Sequence, residues 1–354
     1  MRIQSVSFVA LDIILSLTIV ILLFGCSDVN SPDQKKEEKY INPDPWEQNK
    51  TIARSVNLGN MLEAPNEGDW GITVDELFFE LIGNAGFNAV RVPIRWSTHA
   101  LADSPWTINT FFFDRIDWVV DKARMNNLSI IINIHHYEEI MTDPAAHHAR
   151  FLGLWKQISE HYADEPLDLF FEILNEPNDK LTPQLWNTYL ADAIEIIRQT
   201  NPDRTLIVGT ANWGGLDGLG DLTIPDDDYL IVTYHYYSPF EFTHQGAEWV
   251  SGSDSWLGTT WRALGNEKAA VMADFDKAIA WSQQHNTPIF MGEFGAYSRA
   301  DITSRVAWTN FVAREAEKRA FSWAYWEFCS GFGVYDLTNS QWKTDLLKAL
   351  IPPE

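Results

Sequence analysis

The chain has 354 residues, room for one large domain or two ordinary ones, and 45% hydrophobic with 21% charged residues is a globular composition that excludes an intrinsically disordered chain. A formal net charge of −23 argues against a nucleic-acid partner, because phosphates are held by Lys and Arg patches and none stands out. A neutral ligand suits that balance better, and 16 Trp, 20 Phe and 11 Tyr supply, beyond what the core consumes, amphipathic rings of the kind that sugars lie against.

Residues 1–26 begin with a short positive start at Arg2 and run into an apolar stretch from Ile13 to Phe24, the pattern of an export signal. Leu23-Phe24-Gly25-Cys26 resembles a bacterial lipobox, which makes Cys26 the expected lipidated first residue of a mature lipoprotein. The alternative is an uncleaved membrane anchor, in which Asp12 would be costly near mid-bilayer. Residues 27–45 are polar, charged and proline-bearing and are expected to form a tether without a packed core, leaving the folded domain over 46–354. Only Cys26 and Cys329 are present, so no disulfide staples this fold. The expectation is an exported monomer at the cell surface or in the periplasm, touching the membrane only through its lipid.

From Thr51 onward strands and helices alternate. Strands are expected at Ser55–Gly59, Ala89–Pro93, Ser129–His135, Leu169–Leu174, Thr205–Gly209, Leu230–His235, Ile289–Glu293 and Ser322–Trp326. Helical periodicity lies between them at Val74–Asn84, Phe112–Asn126, His148–Tyr162, Pro183–Thr200, Glu267–Gln284 and Ile302–Lys318, with a shorter helix after Trp342. Several strands are apolar throughout, as when both faces of a parallel sheet are buried. Eight such units without a Gly-rich phosphate loop predict an α/β fold closed as a (β/α)8 TIM barrel in a single domain. Between Asn212 and Tyr229 four glycines leave room for only a turn or two of helix.

A barrel places its chemistry where the strands exit. Asn57, Gly59, Asn60 and Glu63 stand after the first strand, Arg91 at the end of the second, and His135, His136 and Tyr137 after the third. Asn175 and Glu176 close the fourth in FFEILNEP, His235, Tyr236 and Tyr237 the sixth, Glu293 the seventh in PIFMGEFG, and Trp326 with Glu327 the eighth. Two buried strands each delivering a carboxylate at the same kind of end is what a two-carboxylate hydrolase needs. A zinc site built from His135, His136, His235 and Glu176 is disfavoured, since adjacent histidines on a strand point to opposite faces.

NLGNMLEAPNEGDWG from Asn57, RVPIRWSTHA from Arg91, INIHHYEE from Ile132, ILNEP from Ile173, HYYSPFEFTHQGAEWV from His235, GEFGAY from Gly292 and WAYWEFCSGFGVYD from Trp323 together resemble glycoside hydrolase family 5, the retaining endo-glycosidases of cellulase type. Within that family the blocks are most similar to thermophilic bacterial endoglucanases that also cleave mannans. The resemblance implies Glu176 as acid/base and Glu293 as nucleophile, with Arg91, His135, Asn175, His235, Tyr237 and Trp326 completing the active site and Asn60, Glu63, His136, His244 and Trp249 lining the glycan cleft. It implies no cofactor and no metal. The expected activity is endo-β-1,4-glucanase on cellulose-like glucans, β-glucan or glucomannan; the alternatives are a dedicated β-mannanase, a xyloglucanase, or a glycan-binding lipoprotein that has lost turnover. If Glu293 is the attacking group it must be ionised, and hydrogen bonds from Arg91 and Tyr237 are expected to hold its pKa down.

Overall fold

The computed structural model describes residues 42–353, so the expected leader, Cys26 and residues 27–41 of the tether lie outside the described residues. The first element begins inside the span expected as tether. Asp44 accepts hydrogen bonds from the Trp46 and Glu47 N–H groups and Pro45 occupies the first turn, starting α1 (Pro45–Ile52). This helix lies against the base of the barrel: Asn49 donates to the Ile289 carbonyl (3.1 Å) and accepts from the Ser322 hydroxyl (2.5 Å).

Eight parallel strands close into a barrel in chain order: β1 (Arg54–Asn57), β2 (Ala89–Val92), β3 (Ser129–Asn133), β4 (Leu169–Glu172), β5 (Leu206–Gly209), β6 (Leu230–Tyr236), β7 (Ile289–Phe294) and β8 (Ser322–Tyr325), with β8 returning to pair with β1. Every expected strand is present. Their residues are buried almost without exception because one face packs on the helices and the other fills the barrel, where Ile52, Ala89, Ile131, Phe170, Ile207, Ile231, Phe290 and Ala324 form a closed apolar layer. That layer is a floor. Ser55, in register with Ala89 and Ala324, satisfies its hydroxyl on the Ile52 carbonyl (2.8 Å), and Asn57, Arg91, Asn133, Glu172, His235 and Glu293 follow further along their strands, towards the C-terminal rim.

The helices are α2 (Glu76–Asn84), α3 (Thr110–Met125), a short α4 (Glu138–Thr142), α5 (Pro144–His161), α6 (Pro183–Arg198), a one-turn α7 (Phe240–Thr243), α8 (Gly265–His285), α9 (Ile302–Lys318) and α10 (Thr344–Leu350). Between β5 and β6 only a 3-10 segment, Leu216–Asp221, replaces a helix, as the glycines foretold. α5 begins four residues before His148, because Asp143 caps the Ala146 N–H and Pro144 takes the first helical position. A small hairpin of β9 (Tyr335–Asp336) and β10 (Gln341–Trp342) precedes the last helix. No helix among the described residues is long and apolar enough to cross a membrane.

Candidate active site

The rim is organised by one cation. Arg91, the third residue of β2, is fully buried and spends its whole guanidinium on neighbouring strands. Nε and Nη2 clamp Glu172 of β4 at 2.6 Å each, Nη1 donates to Asn57 Oδ1 and Glu293 Oε1 at 2.8 Å, and Nη2 donates to Asn175 Oδ1 at 2.9 Å. Burial is the largest influence on the Glu172 carboxyl and pushes it up, but the charge and two bonds of Arg91 outweigh it and hold the group below the usual carboxylate range. Glu172 is therefore a fixed anion that anchors Arg91. Sequence reasoning missed it; its signal was an acid inside the apolar run FFEIL. Replacing Arg91 with Met should destabilise the fold by about 3–5 kcal/mol, because Glu172 and Glu293 would share a buried site with no cation. Arg91→Lys should rescue little of this in urea unfolding, since an ammonium lacks the planar fork that reaches all four partners.

Glu176 and Glu293 converge. A carboxylate oxygen of each and a ring nitrogen of His235 all lie within 4.8 Å of one another. His235 Nδ1 stands 2.7 Å from Glu176 Oε1 and 3.5 Å from Glu293 Oε2, and Tyr237 donates its hydroxyl to Glu293 Oε2 at 2.9 Å. Burial opposes a charge on His235, yet the facing carboxylates Glu293 and Glu176 raise its pKa on balance. Gly214, at φ +64°, lets this cluster close: its carbonyl accepts the His235 N–H at 2.7 Å, and a Cβ there would meet Glu176 Cγ at 3.2 Å.

The two donors expected on Glu293 are in place, but their expected effect is corrected. Burial dominates and raises the Glu293 carboxyl above its ordinary value, against the charges of His235 and Arg91, while Glu176 pushes it further up and the Tyr237 hydroxyl pulls it back. Arg91 falls short because its charge is shared with Glu172. The resulting prediction is an acid limb of kcat/KM above the ordinary glutamate range: activity needs ionised Glu293 and is lost as pH falls through the raised value. Tyr237→Phe removes a bond that lowers it and should move the limb higher still, read from a pH–rate profile.

Neighbouring side chains have definite roles as donors or acceptors. Asn175 Oδ1 is held by Arg91, which leaves its amide NH2 to donate beside Glu176. Asn133 accepts the Ile94 N–H through Oδ1, so its NH2 faces Glu172 and His135 Nδ1 (3.1 Å), and the neutral His135 presents Nε2–H. The Trp326 ring lies nearly parallel to that of His135, centroids 6.0 Å apart, and Gly59 makes room for it, since a Cβ there would come within 2.9 Å of the indole. In the β6 loop, Thr243 donates to the Tyr237 carbonyl (2.6 Å) and can only accept from His244 Nδ1 (3.0 Å). Burial lowers His244 to about 4, so it is neutral with a lone pair on Nε2. Trp249, 60% exposed, stands beyond it, its ring nearly perpendicular to that of Tyr297 with centroids 4.9 Å apart.

On the β1 side His136 packs edge-on against Trp70 at 5.7 Å and reaches Glu138 at 3.4 Å. Asn60, at φ +66°, stands next to Glu63. Glu63 itself departs from the expectation that it lines a cleft: it is fully buried, its carboxylate accepting the Asn60 and Met61 N–H groups, and burial pushes it up to about 7. Two exposed rings were missed as candidates, Trp70 on this side and Trp213, 64% exposed, whose backbone N–H donates to the Pro177 carbonyl beside Glu176.

The geometry also revises the argument about metals. β3 ends at Asn133 and His136 is at φ +48°, so the His135 and His136 rings lie together, 4.6 Å apart, instead of on opposite faces. His135 Nδ1 is nevertheless taken by Asn133 and His136 Nδ1 faces Glu138. The group that meets is Glu176, His235 and Glu293, and there the imidazole nitrogen already serves as a hydrogen-bonding partner of Glu176. What this arrangement can do is proton transfer and nucleophilic attack by paired carboxylates.

The model of the cellulase family, glycosyl hydrolase family 5, matches residues 48–331. Endoglucanase H of Acetivibrio thermocellus is 36% identical over 316 residues, covering 88% of this chain but 34% of that protein, so the chain spans about a third of that relative's length. Among solved structures, Thermotoga maritima Cel5A in complex with cellobiose superposes with a TM-score of 0.86 at 54% identity, covering 87% of this chain and 100% of that one. The same protein with mannotriose gives 0.86 at 53% identity, with the same coverage.

Proposed function

Because the chain belongs to the cellulase family, glycosyl hydrolase family 5, we propose that it is an endo-β-1,4-glucanase that cuts internal bonds of cellulose-like glucans, β-glucan or glucomannan by double displacement through a covalent glycosyl-enzyme. The observation that carries this is the approach of Glu176 and Glu293, whose nearest oxygens fall within 4.8 Å. Retaining pairs stand about 5–5.5 Å apart, whereas inverting pairs need about 6.5–9.5 Å to admit a water.

In this reading Glu293 attacks the anomeric carbon, its two oxygens steadied by Arg91 and Tyr237. Glu176 gives its proton to the departing oxygen. Esterification then removes the charge of Glu293, and His235, hydrogen-bonded to Glu176, keeps that carboxylate aimed as it turns to activate water. The Asn175 amide donates to the substrate's 2-hydroxyl, a contact that tightens as positive charge develops on the ring. Trp326 is the platform beneath that ring, and Trp213, beside the Glu176 loop, faces the leaving-group sugars.

Action on mannan-containing polymers is the second reading, favoured because a relative 53% identical has been solved with mannotriose. Reducing-sugar release from carboxymethylcellulose, barley β-glucan, glucomannan, galactomannan and xyloglucan, with the product anomer followed by proton NMR, tests both. β-Glucan and glucomannan should be cut with retention. Release from galactomannan or xyloglucan alone, inverted products, or no release from any polymer would overturn the assignment.

The proposal includes export, supported by the apolar run to Phe24 and the motif ending at Cys26. Labelled palmitate should enter the full-length protein, and Cys26→Ser should abolish the label. Label persisting in that variant would place the acyl chain elsewhere.

A further inference from the structure

Immediately after Trp326 the chain buries a second glutamate for which the reaction gives no use. Glu327 is fully inaccessible, and its carboxylate gathers three backbone N–H groups: Cys329 at 2.8 Å, Ser330 at 2.8 Å to each oxygen, and Phe332 at 3.1 Å. Its own carbonyl accepts the Val334 N–H at 3.1 Å. A carboxylate used this way replaces the regular backbone bonds that an irregular loop lacks, so residues 327–334 take the one path that points all these amides at it.

The far end of that path is Phe332. Its carbonyl is held by the Tyr325 hydroxyl (2.9 Å) and by Arg305 (2.7 Å). Its ring is the common backing of the β6 and β7 loops, with centroid distances of 5.3 Å to Tyr297, 5.6 Å to His244 and 6.2 Å to Tyr237. Tyr237 in turn donates to Glu293. One buried carboxylate thus connects the Trp326 platform on one side with a hydrogen-bond donor to Glu293 on the other.

We propose that Glu327 is a positioning residue for the hydrolytic reaction: by folding residues 327–334 around its carboxylate it presses Phe332 against Tyr237, keeps the Tyr237 hydroxyl on Glu293, and fixes Trp326 at the same time. It touches no substrate and moves no proton. The inference rests on the reading of Glu293 as nucleophile. It goes beyond that reading by assigning the aim of Tyr237 to the loop that follows β8.

Glu327→Gln tests it. The amide keeps the size of the side chain but turns an NH2 toward amide hydrogens, so the Cys329 and Phe332 bonds, one to each oxygen, cannot both survive. Any buried structural carboxylate would cost thermal stability when replaced, so the readout is the acid limb of kcat/KM, set at Glu293 by Arg91, His235, Glu176 and Tyr237. The limb should move up as it does in Tyr237→Phe, kcat/KM below it should fall about tenfold, and the double variant should move no further than Tyr237→Phe alone. Glu327→Asp, which keeps two acceptor oxygens, should recover part of the shift. If Glu327→Gln does not fold, Phe332→Leu interrupts the same connection from the other end and must move the limb in the same direction. A limb that stays put in a folded, less stable variant, or a shift that adds fully to that of Tyr237→Phe, overturns the proposal. A wild-type protein that hydrolyses none of the polymers would instead remove the reading of Glu293.

Discussion

Glu293→Ala is expected to lower kcat/KM on barley β-glucan by on the order of 10⁵-fold, because no group remains that can attack the anomeric carbon. The fold should survive. Arg91 keeps its two-point clamp on Glu172 and its bond to Asn57, so the cation is not orphaned. Since burial raises the Glu293 carboxyl, ionised Glu293 is itself a cost to the folded state. The variant's thermal midpoint at neutral pH should therefore equal or exceed that of the parent, the usual sign of a group kept for chemistry and not for stability. Loss of folding alongside loss of turnover would mark Glu293 as a structural carboxylate.

Glu176→Ala should behave differently and depend on the leaving group. General acid catalysis contributes about 10²–10⁴-fold, so polymer hydrolysis should fall by that order. A dinitrophenyl cellobioside, whose leaving oxygen needs no proton, should be attacked by Glu293 at near the parental rate. Hydrolysis of the resulting ester would then stall, because Glu176 is also the base that activates water, and a burst followed by a slow steady state is expected. Azide needs no base and should restore turnover, giving the β-glycosyl azide from Glu176→Ala and the α-glycosyl azide from Glu293→Ala. The opposite anomers would exchange the two assignments.

The barrel was legible because its strands are apolar on both faces and its rim residues are polar at every exit, a contrast that survives without coordinates. Helix starts were less so. α1 was hidden because PWEQNKTI carries little apolar periodicity, and Asp44-Pro45, which starts it, sits in a segment whose composition is that of a tether. The convergence of Glu176 and Glu293 followed from the barrel closing in chain order, which brings the fourth and seventh strands to one mouth. What sequence could not supply was burial and sharing. Glu172 looks like one acid in an apolar run until Arg91 is seen to hold it, and only then does it become clear why Arg91 cannot keep Glu293 low. Glu63 and Glu327 follow the same rule: each is a strand-exit acid in sequence, and each is fully enclosed and bonded to backbone amides in the fold. Strand ends announce which residues reach the rim, but not which of them face the opening.

The most direct test of the account is covalent capture. Incubation with a 2-deoxy-2-fluoro-β-cellobioside bearing a dinitrophenyl leaving group slows breakdown of a glycosyl-enzyme more than its formation, and intact mass followed by peptide mapping locates the sugar. The account requires one fluorocellobiosyl unit, carried by the peptide containing Gly292-Glu293-Phe294 and attached through Glu293. A label on any other residue, or an active enzyme that takes up no label and releases inverted product, would contradict it.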